Sequence, residues 1–356
     1  MKLKQRNILL LALSTVLLAG CGNSGVAIEK NSTKAVSTEE VVESTPLATE
    51  DTVTYPITIE HAFGETVIES KPENVVTISW GNQDVPLALG VVPAGMSKAN
   101  YGQVDEKGLL PWTAEKYKAL GVESPVVFDD TDGLNYEAMS DVQPDVILAA
   151  YSGITEEEYK LLSEIAPVVA YPTFAWQTYW REQTLMDATG MGMQAEGEAL
   201  VAEIEKLIEE KKAEHGDLEG KTAAFFYFNP ADLGTFYIYM PTDPRAAYLV
   251  DLGLAFPESV VELAGDTESF TVELSAEHID ILTDIDVIVT YGDATVLEAL
   301  KADQLVGKIP AIANGSVAMI DDNSYIAAAC TPSVLSIPAT IDEYLDVLSE
   351  AAAKVK

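Results

Sequence analysis

Glu137 and Tyr151 stand fourteen residues apart, and Glu277 and Tyr291 repeat that spacing. Around the first pair the chain reads Asn135-Tyr136-Glu137-Ala138-Met139, then Pro144-Asp145-Val146-Ile147-Leu148, then Tyr151-Ser152-Gly153. Around the second it reads Ser275-Ala276-Glu277-His278-Ile279, then Ile285-Asp286-Val287-Ile288-Val289, then Tyr291-Gly292-Asp293. Each unit predicts a short helix, an acidic strand start, a buried strand and a tyrosine delivered at the strand's C-terminal end. Two similar α/β halves would set those strand ends facing each other across a cleft, where open α/β sheets bind their ligands.

Other chemistries find less support. His61, His215 and His278 are scattered, so no imidazole–carboxylate cluster of the kind that holds zinc or manganese is visible. Cys330 has no histidine near it in sequence to activate a thiol, which favours a small packed side chain. There is no Gly-rich phosphate loop, nucleophile elbow or His-Glu-x-x-His pair, and neither Asp84 nor Asp293 has an evident acid–base partner. A formal charge of −36 repels phosphate backbones and anionic headgroups, which excludes nucleic acid as a partner. Acidic residues along Glu196–Glu214 read as solvated helix surface.

The elements that would carry these residues alternate between β-branched runs and helical patterns, which predicts an α/β architecture with largely parallel sheets. Strands are expected at Val75–Trp80, Asp145–Tyr151, Pro167–Tyr171, Thr222–Phe228, Asp286–Tyr291 and Ser316–Ile320, with a shorter one at Phe236–Met240. Helices are expected at Asp84–Leu89, Glu156–Ile165, Trp176–Thr189, Pro244–Leu252 and Ile341–Lys354. Glu196–His215 carries apolar residues at Leu200, Val201, Ile204, Leu207 and Ile208, a helical spacing. At about 1.5 Å per residue such a helix spans roughly 30 Å, enough to brace two α/β halves.

At the N-terminus Lys2, Lys4 and Arg6 precede an apolar run, Ile8–Ala19, that ends at Gly20-Cys21. That is the pattern of a secretory signal, too short for a spanning anchor, and Leu17-Leu18-Ala19-Gly20-Cys21 resembles a bacterial lipobox with Cys21 as the lipidated residue. The Ser-, Thr- and Glu-rich stretch that follows has the composition of a flexible tether. The chain therefore divides into a signal at 1–20, a tether at 21–54, an N-terminal lobe at 55–178, connecting helices at 179–218, a C-terminal lobe at 219–338 and a terminal helix at 339–356.

Several strings stand out together by their order and spacing: Lys71-Pro72-Glu73-Asn74-Val75-Val76, Ala88-Leu89-Gly90-Val91-Val92-Pro93-Ala94-Gly95-Met96, Gln143-Pro144-Asp145-Val146-Ile147 and Leu274-Ser275-Ala276-Glu277. In the second half Gly234-Thr235-Phe236-Tyr237 and Asp243-Pro244-Arg245 with Leu252-Gly253 belong to the same set. From Val53 to Ser349 the chain resembles the substrate-binding lipoproteins of iron-siderophore and cobalamin ABC importers. That resemblance implies two Rossmann-like lobes joined by a long backbone helix, the class III periplasmic-binding-protein fold, and a protein that is not an enzyme. It implies a ferric siderophore as ligand, with no cofactor. The partners it implies are a permease with its separate ATPase subunit and, through the anchor, the extracytoplasmic face of a membrane. Glu137 and Glu277 would face outward and pair with permease arginines, a role symmetry-related carboxylates suit.

A siderophore presents planar or apolar faces with polar edges, so aromatic side chains are expected around it. The candidates are Trp80, Tyr101, Tyr151 and Trp176 in the first half, and Tyr227, Tyr239 and Tyr291 in the second; Tyr179, Trp180 and Tyr237 are further possibilities. Only two arginines lie beyond Arg6. Arg245, in a loop before a helix, is the candidate ligand donor, and Arg181 reads as a helix-surface residue paired with a carboxylate. So few cations favour a neutral or weakly charged hydroxamate complex over a tricatecholate. Haem, which needs a single Tyr or His, and cobalamin, which needs only an aromatic cleft, stay open as ligands, and a secreted α/β enzyme is the reading from another class.

Overall fold

The computed structural model describes residues 53–265 and 267–356. The leader, Cys21 and the tether as far as residue 52 lie outside the described residues. The chain enters through a hairpin, β1 (Ile57–His61) and β2 (Gly64–Ile68). The first lobe then follows as β3 (Val75–Thr77), α1 (Asp84–Ala88), β4 (Gly95–Ser97), α2 (Pro111–Ala119), β5 (Val127–Phe128), α3 (Tyr136–Asp141), β6 (Val146–Ala149), α4 (Glu156–Ser163) and β7 (Val168–Ala170). Its five strands are all parallel, in the order β5-β4-β3-β6-β7. Every residue of β3, β6 and β7 is buried, which is why these strands read as unbroken apolar runs without alternation.

Two helices lead out of this lobe, α5 (Trp180–Gly190) and α6 (Gln194–Glu214). The second lobe comprises β8 (Ala223–Asn229), β9 (Asp232–Tyr239), α7 (Pro244–Asp251), α8 (Glu258–Ala264) and β10 (Thr271–Ser275), then a 3-10 turn at Ala276–Ile281. It continues as β11 (Val287–Tyr291), α9 (Ala294–Ala302), α10 (Pro310–Asn314), β12 (Val317–Ile320), α11 (Tyr325–Ala329) and α12 (Ser336–Ala352). The sheet order is β10-β9-β8-β11-β12, with β8, β11 and β12 parallel. The expected largely parallel pairing is observed, with one local exception: β9 runs antiparallel to both β8 and β10. The cause is local, since only Pro230 and Ala231 separate β8 from β9, and a two-residue link permits a hairpin and no crossover.

The expected brace is present as α6, but it does not join the lobes alone. One hydrophobic core contains Val75, Leu148 and Val169 of the first sheet and Phe225, Val289 and Ile320 of the second. Ile204 and Ile208 of α6, with Ile341 and Leu345 of α12, belong to it as well. Opening the lobes widely would expose this shared interior at about 25 cal/mol per Å² of apolar surface, so only small relative movement is inexpensive.

Polar ties reinforce it. Trp180 Nε1 donates to Asp251 of α7 at 3.0 Å, and Arg181 donates to Asp251 at 2.8 Å and to Glu205 of α6 at 2.7 Å. Arg181 thus pairs with carboxylates as expected, and it links three helices. At the start of α1 the buried Asp84 accepts from Trp112 Nε1 (2.9 Å), Thr113 Oγ1 (3.1 Å), Gln83 Nε2 (3.2 Å) and the hydroxyl of Ser333, which precedes α12. Burial outweighs those four bonds and pushes the carboxyl up to about 6.

Candidate functional site

A cleft with a volume of about 780 Å³ opens where the C-terminal ends of the first sheet's strands face the second lobe. Ser79 and Trp80 reach it from beyond β3, the segment Ser97 to Tyr101 from the end of β4, Asp130 and Thr131 from beyond β5, and Tyr151 from beyond β6. The second lobe supplies Tyr239 at the end of β9, Arg245 in the first turn of α7, Tyr291 at the end of β11 and Thr331 after α11. Trp176, in the segment leading to α5, stands beside them.

Trp80 and Tyr151 are positioned by a side chain that sequence reasoning passed over. Asn82, fully buried, donates to the Ile78 carbonyl at 2.7 Å and to the Tyr151 carbonyl at 3.0 Å. Its Oδ1 accepts from the Tyr151 amide at 3.1 Å and from Gln183 Nε2 at 3.0 Å, and Gln183 also donates to the Trp80 carbonyl at 3.1 Å. All the hydrogen-bonding capacity of the amide is thereby spent on tying the β3 exit to the β6 exit and to Gln183 of α5. The signal available was an Asn in a Gly-Asn-Gln turn directly after a strand.

Backbone strain gathers at the same place. Among the described residues three non-glycine residues have positive φ, and two of them, Ser79 (65°) and Trp176 (62°), line the cleft. Such conformations cost of order 1–3 kcal/mol and persist only where the surroundings enforce them. At Trp176 the enforcement is a hydrogen bond donated by its backbone N–H to the Ser152 carbonyl at 3.0 Å and an edge-on packing against Tyr151, with centroids 5.4 Å apart at 75°. The helix expected from Trp176 therefore starts only at Trp180.

Arg245 lies 4.1 Å above the ring of Tyr239, and its guanidinium forks onto Asp243 at 2.8 and 2.6 Å. Asp243 is completely buried and also caps α7 by accepting the Arg245 amide. Burial disfavours the guanidinium charge, but Asp243 outweighs it and holds Arg245 firmly protonated. Asp243 occupies two of the five N–H donors, which leaves three for a ligand. Burial raises Tyr151 and Tyr291 above the usual phenol range, so both act as neutral hydroxyls. Tyr101 packs edge-on against Tyr291, centroids 5.7 Å apart, and donates to Asp322 of the second lobe at 3.2 Å.

Seven of the eight expected ligand residues thus meet in one cleft, and Tyr227 does not. It sits on β8 outside the cavity, 43% exposed, against Tyr237. Its correction is geometric: on this sheet the cavity wall is made by Tyr239 and Tyr291, and Tyr227 stands beside Tyr237 outside it. Trp180 is buried against Asp251, while Tyr179 is exposed and donates to the Pro241 carbonyl at 3.0 Å. Cleft residues not foreseen include Lys98, Phe270 and Thr331. Glu137, in the first turn of α3, and Glu277, in the 3-10 turn before β11, are both exposed. Cys330 is buried, and desolvation pushes its thiol up to about 12, far from a reactive thiolate. Among the described residues no group of three or more His, Cys, Asp or Glu side chains is placed to hold a metal ion.

A family model described as periplasmic binding protein matches residues 75–324. Among solved structures, PiaA of Streptococcus pneumoniae TIGR4 in complex with ferrichrome is 52% identical, with a TM-score of 0.82, over 84% of this chain and 100% of that one. The probable siderophore-binding lipoprotein YfiY of Bacillus subtilis is 25% identical over 74% of this chain and 80% of its own length. The iron(3+)-hydroxamate-binding protein YxeB of the same organism is 23% identical over 99% of both chains.

Proposed function

Since the chain belongs to the periplasmic binding protein family, a family of binding proteins rather than enzymes, we propose that it captures a ferric hydroxamate siderophore between its lobes and delivers it to an ABC importer. The observation that carries this reading is the convergence of Tyr151, Tyr291, Trp80 and Arg245, from both lobes, on one cleft of about 780 Å³. That volume suits a compact chelate, and the wall combines apolar faces with a few placed donors. Charge narrows the class. Arg245 is already matched by Asp243, and Lys98 by Asp129 at 3.4 Å, so the cleft offers little uncompensated positive charge. A tris-hydroxamate neutralises its own iron and fits such a site, whereas a tricatecholate arrives as a polyanion that the net charge of −36 repels.

The remaining parts of the reading are proposals of the same kind. Cys21 carries the lipid anchor at the extracytoplasmic face, residues 55–178 and 219–338 serve as the two lobes, and Glu137 and Glu277 meet the permease. ATP is hydrolysed by a separate subunit. The test is a titration of tryptophan fluorescence with ferrichrome, alongside a thermal-shift panel of ferric hydroxamates, catecholates, citrate, haem and cobalamin. Saturable quenching and stabilisation by hydroxamates are expected; stabilisation by haem or cobalamin alone would overturn the assignment.

A further inference from the structure

The second sheet carries its cleft wall out into solvent. The rings of Tyr239 on β9 and Tyr291 on β11 both pack on Phe225 of β8, at 5.4 and 5.1 Å, so all three share one sheet face. Side chains two residues apart on a strand point the same way. Tyr227 on β8 and Tyr237 on β9 therefore lie on that face too, and they are direct register partners. Tyr227 follows Phe226, whose partner on β11 is Thr290, which brings Tyr227 level with Tyr291. On the far side Tyr237 is paired with Glu273 of β10, and its hydroxyl donates to that carboxylate at 2.6 Å.

The result is a row, Tyr291, Tyr227, Tyr237, Glu273, that begins in the cleft and ends in water. Tyr291 is 8% exposed, whereas Tyr227 and Tyr237 beyond it are 43% and 38% exposed. Adjacent strands are about 5 Å apart, so the outer ring stands roughly 10 Å from the cleft wall. Two exposed aromatic faces followed by a carboxylate attract a cation, and β8, β9 and β10 contain no Lys or Arg to compete. Continuity with the cleft identifies the occupant as part of the molecule bound there. We propose that this shelf is an outer subsite for the cationic amine arm of a ferric hydroxamate, and that it favours siderophores bearing such an arm over neutral ones. It rests on the siderophore reading above and adds a discrimination within that ligand class.

The experiment compares three ferric ligands by fluorescence titration at low salt: ferrioxamine B, whose arm ends in an ammonium group, its N-acetyl derivative, and ferrichrome, which has no arm. The intact protein is expected to bind ferrioxamine B about fivefold more tightly than the acetylated form. Glu273→Gln combined with Tyr227→Leu should bring that ratio to about one while leaving ferrichrome affinity unchanged, which also reports that the variant is folded. A ratio near one in the unaltered protein, or one the double substitution does not move, overturns the shelf and leaves the siderophore reading intact. If none of the three ligands binds, the siderophore reading fails and the shelf with it.

Discussion

Gly153 lies flat against the indole of Trp176: a Cβ placed on its α-carbon would fall 2.1 Å from Nε1 and 2.4 Å from Cε2. No other residue fits beneath that ring without displacing it. Gly153→Ala therefore tests whether the position of Trp176 matters for capture, since Gly153 has no left-handed φ and the substitution introduces bulk without backbone strain. Ferrichrome affinity should fall roughly tenfold or more as an aromatic contact is lost. The protein should remain folded by circular dichroism. Unchanged affinity would place Trp176 outside the ligand contacts.

The fork between Arg245 and Asp243 has separable roles in stability and binding. Arg245→Ala would strand a fully buried carboxylate, leaving it the Arg245 amide as its remaining bond here, which costs about 3 kcal/mol or more. Arg245→Lys keeps the charge and loses the planar fork. Chemical denaturation should rank the variants Arg, Lys, Ala in falling stability, and fluorescence titration should show both substitutions weakening hydroxamate binding. A stable Ala variant would mean that the pair does not hold the α7 start as described.

Asp84 predicts a pH signature of stability. Its folded carboxyl titrates at about 6 against an ordinary value of 3.8, with burial as the dominant cause. Between those two pH values the native state holds a proton that the unfolded chain has released, so this group's contribution to stability declines as pH rises through the window. Above it the penalty is complete, about 3 kcal/mol. Asp187, fully buried with no hydrogen bond closed on either oxygen and only the nearby Ala150 amide to ease its charge, acts in the same direction. Asp84→Asn removes one of the two. Denaturation at pH 4 and pH 7 should show the variant gaining about 2 kcal/mol relative to the unaltered protein as pH rises; a constant difference would contradict the assignment.

What could be read from the chain and what could not divide along local and tertiary causes. The repeat placed Tyr151 and Tyr291 because strand termini follow from short buried runs, and both now line one cleft. Asn82 offered only its place in a Gly-Asn-Gln turn, since its importance comes from Tyr151 and Gln183, far away in sequence. Helical propensity argued for a helix at Trp176, but the ring is seated on Gly153 and the backbone follows it. Tyr227 has the same residue type and strand-end position as its neighbours. Its exclusion from the cavity depends on which strands flank β8 in the sheet, β9 bringing Tyr237 against it, which no single strand reveals.

Glu137 and Glu277 remain the most direct probe of delivery as distinct from capture. Both are exposed, and each lies in a short helical turn preceding the strand whose end supplies a cleft tyrosine, β6 for Tyr151 and β11 for Tyr291. A charged side chain so exposed contributes little to stability. Glu137→Lys together with Glu277→Lys should therefore leave ferrichrome affinity and melting temperature nearly unchanged. Uptake of radiolabelled ferric ligand by cells carrying the importer should fall close to background, because like charges would then meet across the docking surface. Either single reversal should give an intermediate rate. Loss of affinity in the isolated double variant would move these residues from docking to the binding site, and normal uptake would remove them from docking altogether.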